Sequence, residues 1–365
     1  MAKPHGNKLR SIAIQILAIS LVSFILGEAT LRVYNYFSPS YLFRSESYNK
    51  QFRGKPFASV GKFQLNSLGF KDKEFLPKAH GGYRIVALGD SFAFGVVPYE
   101  QNYLTLIEAE LQRHHPSLDL LNMGIAGTGP PDYYQLLMDE GLAFEPDLVL
   151  LSFFIGNDFV GTRRRRLYEY SYVTTLFYRA WRIVRGYRGP IIGASKTLYC
   201  DDCPTMTEDR FLQVERSRSA KYVRGNNGFA RSMDRALSYL EKIRLICSAR
   251  GIDFVVVLIP DEVQINRELQ KIIRNKFFSD LDSSLWDSSL PNRALSSRLT
   301  QLRIDHIDLY DAFVANGSQT RLYKPRDTHW NIAGNRLAAN RIVDHVQKYI
   351  KSTEEIGSIK AKDFP

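Results

Sequence analysis

The chain has 365 residues, of which 44% are hydrophobic and 24% are charged, and its formal net charge at pH 7 is +11. These values are ordinary for a globular protein that can bury one large core, and they exclude an intrinsically disordered chain. The basic charge is not accompanied by any nucleic-acid recognition motif, so no nucleic-acid partner is expected.

The N-terminal residues predict a membrane anchor over 11–33. The first seventeen residues of this segment carry no charge, and as a helix they would span about 25 Å against a hydrocarbon core of about 30 Å. The preceding tail, 1–10, has three basic residues and no acidic one, which keeps the tail in the cytoplasm and exports the rest of the chain. No Ala-x-Ala-like site follows the apolar run, which favours an uncleaved anchor over a cleaved signal peptide or a buried helix.

Downstream of the anchor, short apolar runs alternate with longer periodic segments. The runs rich in Val, Leu, Ile or Phe predict strands, and the segments in which apolar residues return every three or four positions predict helices. The predicted strands are residues 83–89, 118–122, 147–154 and 253–259. The predicted helices are residues 101–113, 130–142, 231–249, 261–276 and 332–350. This alternation predicts an α/β domain with a parallel sheet covered on both faces, over residues 81–352.

Three segments lie outside this alternation. Residues 34–80 are predicted to be an extension packed on the edge of the sheet, residues 159–230 an insertion with little strand character, and residues 353–365 a tail. Basic residues alternate with aromatic and apolar ones over 163–188 of the insertion. A helix there could rest on anionic lipid, hold an acidic polymer, or present a solvated basic face over the core.

The three cysteines predict a local disulfide and a buried thiol. Cys200 and Cys203 enclose two aspartates in a polar segment, and exported chains use such pairs as loop disulfides. A thioredoxin-like role is less favoured because no strand directly precedes the pair, and zinc would need two more ligands at suitable spacing. Cys247 lies in an apolar stretch and is predicted to be a core thiol. No metal or cofactor is expected.

Polar or glycine-rich segments follow three of the predicted strands, at the point where each strand ends. Ser91 follows the first strand in Gly-Asp-Ser, a glycine-rich loop over 122–129 follows the second, and Asn157 follows the third. Ligands of parallel sheets bind beyond the carboxyl ends of the strands. The three segments are therefore predicted to meet in one crevice.

A carboxylate and an imidazole lie far downstream, in Asp327-Thr-His329-Trp. Serine is a poor nucleophile at neutral pH unless a base takes its proton, and the base needs a third group that fixes its tautomer and orientation. Ser91, His329 and Asp327 could fill these three roles. Three other carboxylates are alternatives to Asp327 if the chain folds back: Asp305, Asp308 and Asp311.

These four segments, in this order, resemble the four blocks of the SGNH hydrolase superfamily. The resemblance implies a flavodoxin-like three-layer α/β/α domain that needs no cofactor. It also implies that Ser91 is the nucleophile and that His329 is the base, oriented by Asp327. The oxyanion hole would be formed by the backbone amides of Ser91 and Gly127 together with Asn157.

Two blocks depart from the usual pattern. The third is usually Gly-x-Asn-Asp, whereas here the glycine, Gly156, directly precedes Asn157. The last is usually Asp-x-x-His, whereas Asp327 and His329 are separated by one residue. The shorter spacing changes how the carboxylate reaches the imidazole, and it resembles SGNH-like proteins that O-acetylate exported polysaccharides. The sequence around Ser91 also lacks the Gly-x-Ser-x-Gly elbow of an α/β-hydrolase.

The predicted function is a membrane-anchored serine esterase, exposed outside the cytoplasm, that acts on ester-linked acyl groups of a glycan or lipid. One alternative is a polysaccharide O-acyltransferase with the same three residues. A second is a non-catalytic glycan-binding or assembly protein on the same scaffold. The sequence leaves these open, because access of water to an acyl-enzyme depends on the shape of the insertion.

Overall fold

The structure is a computed structural model that describes residues 5–37, 53–54, 56–159, 170–184 and 199–362. Within the basic stretch 163–188, residues 163–169 and 185–188 lie outside the described residues. The chain divides into two compact units. The first comprises Met1–Lys55 and Arg163–Ile192, and the second comprises Pro56–Thr162 and Gly193–Pro365.

The described residues form twelve helices, seven strands and four single 3-10 turns. The helices are α1 (His5–Phe37), α2 (Ser91–Phe94), α3 (Tyr103–Gln112), α4 (Pro130–Asp139), α5 (Tyr172–Val184), α6 (Glu208–Ser219), α7 (Asn227–Ser248), α8 (Glu262–Ile265), α9 (Arg267–Phe277), α10 (Leu290–Gln301), α11 (Tyr310–Gly317) and α12 (Ile332–Lys362). The strands are β1 (Ser59–Val60), β2 (Phe63–Gln64), β3 (Arg84–Leu88), β4 (Asp119–Asn122), β5 (Leu148–Phe154), β6 (Asp253–Ile259) and β7 (Asp305–Asp308). The 3-10 turns are Tyr99–Gln101, Gly141–Phe144, Ala220–Tyr222 and Ser283–Leu285.

The first unit contains α1 and α5. Within α1, Arg10–Tyr34 contains an 18-residue window with a mean hydropathy of 2.1, none of which is buried by the protein. By length and composition this stretch is sufficient to cross a membrane, a property that it shares with signal sequences. Near the C-terminal end of this stretch, the Glu28 carboxylate accepts hydrogen bonds from Ser171 Oγ at 2.8 Å and from Val173 N at 3.1 Å. These bonds fix the start of α5.

The second unit is built on a five-stranded sheet in the order β4-β3-β5-β6-β7, with every neighbouring pair parallel. Numbered along the chain, these strands have the order 2-1-3-4-5, which is that of flavodoxin-like folds. Helices α3 and α12 pack together on one face, and α4 and α7 pack together on the other. The predicted three-layer α/β/α architecture is therefore confirmed.

The main core lies between the sheet and the pair α3 and α12. Alternate residues of β3, β5 and β6 point into it, as expected for strands buried on both faces. The C-terminal helix α12 contributes a row of small and branched side chains: Ala338, Ala339, Ile342, Val343 and Val346. This packing brings the start of α12, and the turn before it, to the carboxyl end of the sheet.

The extension before the sheet also packs at this end. Asn66 closes a turn by accepting hydrogen bonds from the amides of Leu68 and Phe70, and Asp72 accepts one at 2.7 Å from the amide of Asn122 at the end of β4. Because β4 is an edge strand, this hydrogen bond joins the segment to the edge of the sheet.

The strand predictions agree with the structure to within one residue at each end, but the fifth strand was missed. β7 contains a single apolar residue in Asp305–Asp308 and lies at the other edge of the sheet, so its sequence lacks the apolar run of a buried strand. The predicted helix over 261–276 is two helices, because Asn266 adopts an extended conformation and caps α9. Helices α6, α10 and α11 were not predicted.

Candidate active site

Ser91 lies where β3 ends and α2 begins. The preceding Gly89 has no room for a side chain, since a Cβ there would lie 2.8 Å from Ala93 Cβ and 3.1 Å from Ser152 Cβ. Asp90 caps α2 by accepting a hydrogen bond from Phe92 N at 2.9 Å. The serine is thus placed by a buried strand on one side and by a capped turn on the other.

The structure brings Ser91, His329 and Asp327 into one hydrogen-bonded chain. Ser91 Oγ lies 2.7 Å from His329 Nε2, and His329 Nδ1 lies 2.6 Å from Asp327 Oδ1. Burial would raise the pKa of Asp327, but hydrogen bonds from His329 and Thr205 and the charge of Lys324 leave it below its ordinary value. An ionised Asp327 accepts from Nδ1–H, which leaves Nε2 as the acceptor for the serine hydroxyl.

Asp305 and Asp308, two of the alternatives to Asp327, bind other residues. Asp305 accepts hydrogen bonds from His345 at 2.7 Å and Lys348 at 2.7 Å. Asp308 accepts from Asn292 at 2.7 Å and from the amide of Tyr310. Since His329 Nδ1 faces Asp327, the short spacing of the last block still brings its carboxylate to the imidazole.

The backbone conformation of the Asp327 turn explains how this is possible. The turn is closed by hydrogen bonds from Lys324 N to His329 O at 2.9 Å and from Asn331 N to Leu322 O at 3.0 Å. On either side of the aspartate the backbone is left-handed, with φ of 48° at Arg326 and 76° at Thr328. Non-glycine residues adopt this conformation at a cost of about 1 kcal/mol or more each, so the turn is strained where the two side chains emerge.

An aromatic cluster supports the imidazole from below. The Phe92 ring lies 5.1 Å from the His329 ring and 4.9 Å from that of Trp330, measured between centroids. Trp330 packs in turn on Tyr103 at 5.6 Å and on Phe313 at 5.0 Å. Because the residues after Ser91 and His329 pack on each other, Ser91 and His329 are supported by the same aromatic cluster.

Asn157 is linked through Asp90 to the turn that carries Ser91. Its Nδ2 donates to Asp90 Oδ2 at 3.0 Å, while Asp90 Oδ1 accepts from Phe92 N. Complete burial raises the pKa of Asp90, an effect opposed by the hydrogen bonds from Phe92 and Asn157 and by the charge of His329. The structure therefore holds Asn157 and Ser91 in a fixed relation through one buried carboxyl group.

Gly127 lies in the loop that follows β4, as predicted. The loop is joined to the turn that carries Ser91 by a hydrogen bond from Ile125 N to Gly89 O at 3.0 Å. Gly127 has a φ of 80°, which favours glycine, and a Cβ there would have open space around it. No hydrogen bond described here joins Gly127 to Ser91, so its place in the oxyanion hole stays a prediction.

Sequence reasoning missed two residues of the insertion that support this site. Thr205 Oγ1 donates to Asp327 Oδ2. Lys221 Nζ donates to the carbonyl oxygens of Ile155 at 2.7 Å and Gly156 at 2.8 Å, directly before Asn157. Burial lowers the pKa of Lys221 to about 8. Nothing in the sequence around either residue marks it, because both reach the site only through the fold of the insertion.

The cysteine predictions are confirmed. Cys200 and Cys203 form a disulfide, and Cys247 is a buried free thiol whose pKa is raised to about 12 by burial.

One family model matches part of the second unit. Residues 218–364 match the family model described as "SGNH hydrolase-like domain, acetyltransferase AlgX", a range that includes Asp327 and His329 but not Ser91. Over residues 218–364 the chain is thus similar to an SGNH hydrolase-like domain, and its parallel sheet has the flavodoxin-like strand order that the sequence resemblance predicts. A comparison with curated protein sequences finds no match.

Several solved structures are similar to this chain at low sequence identity. The acetyl xylan esterase AlAXEase is 16% identical, with 72% of this chain and 100% of that chain covered and a TM-score of 0.42. A two-domain esterase active on acetylated mannans is 15% identical, with 73% and 50% covered and a TM-score of 0.39. The lipase/acylhydrolase from Enterococcus faecalis is 13% identical, with 73% and 96% covered and a TM-score of 0.37.

Proposed function

We propose that this protein cleaves acyl esters through an acyl-Ser91 intermediate. The observation that carries this conclusion is the hydrogen-bonded chain from Ser91 Oγ through His329 to Asp327. Ser91 Oγ attacks the ester carbonyl while its proton passes to His329 Nε2, and the imidazolium is stabilised by Asp327. When the tetrahedral intermediate collapses, the C–O bond to the leaving alcohol breaks and His329 returns the proton to that alcohol. Water, activated by the same imidazole, then releases the acyl group.

Three donors are proposed to stabilise the oxyanion of the intermediate. Asn157 uses one amide hydrogen for Asp90, and its second is proposed to face the oxyanion beside the backbone amides of Ser91 and Gly127. Preorganised donors of this kind are worth about 3 kcal/mol each in the transition state. The bond to Asp90 supports this role because it fixes the plane of the Asn157 amide.

A second candidate function is transfer of the same acyl group to a hydroxyl group of a glycan. The observation that favours it is the match of residues 218–364 to a family model described as an acetyltransferase. The chemistry up to acyl-Ser91 is identical. In the second step a sugar hydroxyl replaces water and gives its proton to His329, so that the new ester forms on the glycan.

The proposed setting is outside the cytoplasm, with α1 as a single membrane anchor. Its apolar stretch Arg10–Tyr34 is long enough to span a bilayer, and the basic tail before it favours a cytoplasmic N-terminus. The disulfide between Cys200 and Cys203 agrees with an oxidising compartment.

The test is nitrophenol release from p-nitrophenyl acetate by the full chain in detergent, with a soluble oligosaccharide present or absent and with Ser91→Ala as the control. Ser91-dependent release in water alone supports the esterase, and release that requires the oligosaccharide supports the transferase. No release under either condition would contradict both and favour a non-catalytic binding protein.

A further inference from the structure

The disulfide segment, residues 199–206, lies along the strained turn that carries Asp327. Its backbone pairs with that turn through hydrogen bonds from Thr205 N to Pro325 O at 3.3 Å and from Met206 N to Arg326 O at 3.1 Å. These bonds hold the two residues directly before Asp327. The disulfide segment therefore touches the turn where the backbone enters its left-handed conformation.

Side chains fasten the remainder of the turn to the same segment. Lys324 Nζ donates to the carbonyl oxygen of Cys200, and Asp201 Oδ1 accepts a hydrogen bond from Ile332 N at 3.1 Å, at the first residue of α12. Arg321 forms an ion pair with Asp202. The turn is thus bound to the disulfide segment before Asp327, after His329 and at Asp327 itself.

We propose that Thr205 is a positioning residue for the proposed reaction, and that the Cys200–Cys203 disulfide segment exists to present it. This inference rests on the proposed function. Thr205 occupies Asp327 Oδ2, so that Oδ1 faces His329 Nδ1. Two residues of the turn are strained, so a relaxed backbone conformation would be favoured locally. Any rotation of the Asp327 side chain that followed would break its hydrogen bond to His329 Nδ1. The threonine and the backbone pairs oppose that rotation.

The position of Thr205 makes this role testable without loss of the fold. The residue is exposed to solvent on its outer side, whereas Asp327 is buried. Thr205→Val removes the hydroxyl and keeps the shape, Thr205→Ser keeps the hydroxyl, and Thr320→Val is a matched change at an exposed threonine that precedes the same turn.

In the full chain, Thr205→Val should lower kcat for p-nitrophenyl acetate roughly tenfold, the fold-change expected for one lost hydrogen bond to a charged group, with KM unchanged. Thr205→Ser and Thr320→Val should remain within about twofold of the wild type.

The disulfide is tested by the double variant Cys200→Ser/Cys203→Ser, which should lower kcat as Thr205→Val does. Adding Thr205→Val to it should cost less than it costs alone, because both changes act on one contact. An active wild type with an unimpaired Thr205→Val variant would overturn this inference alone. A wild type without Ser91-dependent turnover would overturn the proposed function and this inference with it.

A second, independent observation concerns the first unit. Helix α5 begins beside Glu28 and Arg32, in the last turns of the apolar stretch of α1, where the Arg32 guanidinium lies 4.7 Å above the Tyr172 ring. Its other face carries apolar and aromatic side chains that are exposed. The exposed side chains are Leu176 (40%), Phe177 (72%), Trp181 (50%) and Val184 (85%), which lie within one arc of about 140° on a helix.

We infer that this face of α5 lies in the polar–apolar boundary of a phospholipid bilayer, beside the end of α1. A bilayer is inferred because the two helices are continuous in space. If Arg10–Tyr34 lies in a bilayer, its charged residues Glu28 and Arg32 mark the boundary, and α5 starts beside them. Aromatic and branched side chains on one face are typical of interfacial helices, and Trp is enriched at that depth. The inference rests on the membrane anchoring proposed above.

The test is quenching of tryptophan fluorescence by brominated phosphatidylcholine in vesicles that contain the full chain. The chain has three tryptophans, of which Trp330 is 1% exposed and Trp181 is 50% exposed. Quenching should occur in the wild type and in Trp286→Phe, and should be lost in Trp181→Phe. Failure of the chain to float with the vesicles, absence of quenching, or quenching that persists without Trp181 would each overturn the inference.

Discussion

The two sides of the active site are held in different ways. Ser91 and Asn157 follow fully buried strands, and one buried carboxyl group, that of Asp90, ties them together. Asp327 and His329 lie on a strained turn that is bound from outside by the insertion. Ser91 and Asn157 are therefore fixed by the core itself, whereas Asp327 and His329 could lose their alignment while the fold persists.

This difference predicts that substitutions around Ser91 and Asn157 change both catalysis and stability, and that substitutions around the Asp327 turn change catalysis alone.

Ser91→Ala should lower kcat by about 10⁴-fold or more, because it removes the attacking oxygen. His329→Ala should lower kcat by a comparable factor, and the double variant should be no slower than either single variant, since the two residues act as one unit. Initial rates measured beside circular dichroism spectra check this. Additive losses in the double variant would show that the two side chains act separately.

Asn157→Ala should lower kcat roughly 100-fold or more, because one oxyanion donor is lost. It should also lower the free energy of unfolding by about 1–3 kcal/mol, because Asp90 Oδ2 is left buried without its donor. The matched control is Asn316→Ala, an exposed amide on α11. A variant with normal kcat would remove Asn157 from the oxyanion hole.

Lys221→Met should lower kcat about tenfold, since the carbonyl oxygens of Ile155 and Gly156 lose the donor that fixes the turn before Asn157. Loss of this buried charge should also reduce the free energy of unfolding by about 3 kcal/mol. Lys271→Met, at an exposed ion pair with Glu268, should change it by less than about 1 kcal/mol. Urea unfolding beside initial rates measures both effects, and unchanged kcat would show that Lys221 is structural only.

Glu262, at the start of α8, should make stability depend on pH. Burial raises its pKa to about 8 in the folded protein, whereas the unfolded chain releases this proton near pH 4.3. The folded state therefore binds the extra proton between these values, and the free energy of unfolding falls as pH rises through this window. The measurement is urea unfolding from pH 5 to pH 9. Over this range the free energy of unfolding of Glu262→Gln, relative to that of the wild type, should rise by at least about 1 kcal/mol. A constant difference would contradict the raised pKa.

The same division sets how much of the molecule the sequence predicts. Four strands, the parallel sheet and the order of the site segments were correct, because buried strands have apolar runs and the polar residues at their ends are conspicuous. Ser91 and Asn157 follow such strands directly. The polar edge strand β7 has no such run, which is why it was missed.

The supports of the site were not predictable from sequence. Thr205 and Lys221 lie in a polar insertion and reach the site only through its fold. The short spacing between Asp327 and His329 is visible in the sequence, but the way in which the carboxylate reaches the imidazole is not. Its solution, a left-handed backbone at Thr328, is one that threonine rarely adopts and that local propensity would reject.

The central claim is that Ser91 carries the acyl group. The most direct measurement is intact mass spectrometry of the full chain, quenched in acid within the first turnovers with p-nitrophenyl acetate, followed by peptide mapping. The expected result is a mass increase of one acetyl group, which peptide mapping locates on the peptide that contains Ser91. This increase should be absent from Ser91→Ala. Turnover by the wild type with no such adduct, or an adduct that persists in Ser91→Ala, would contradict it.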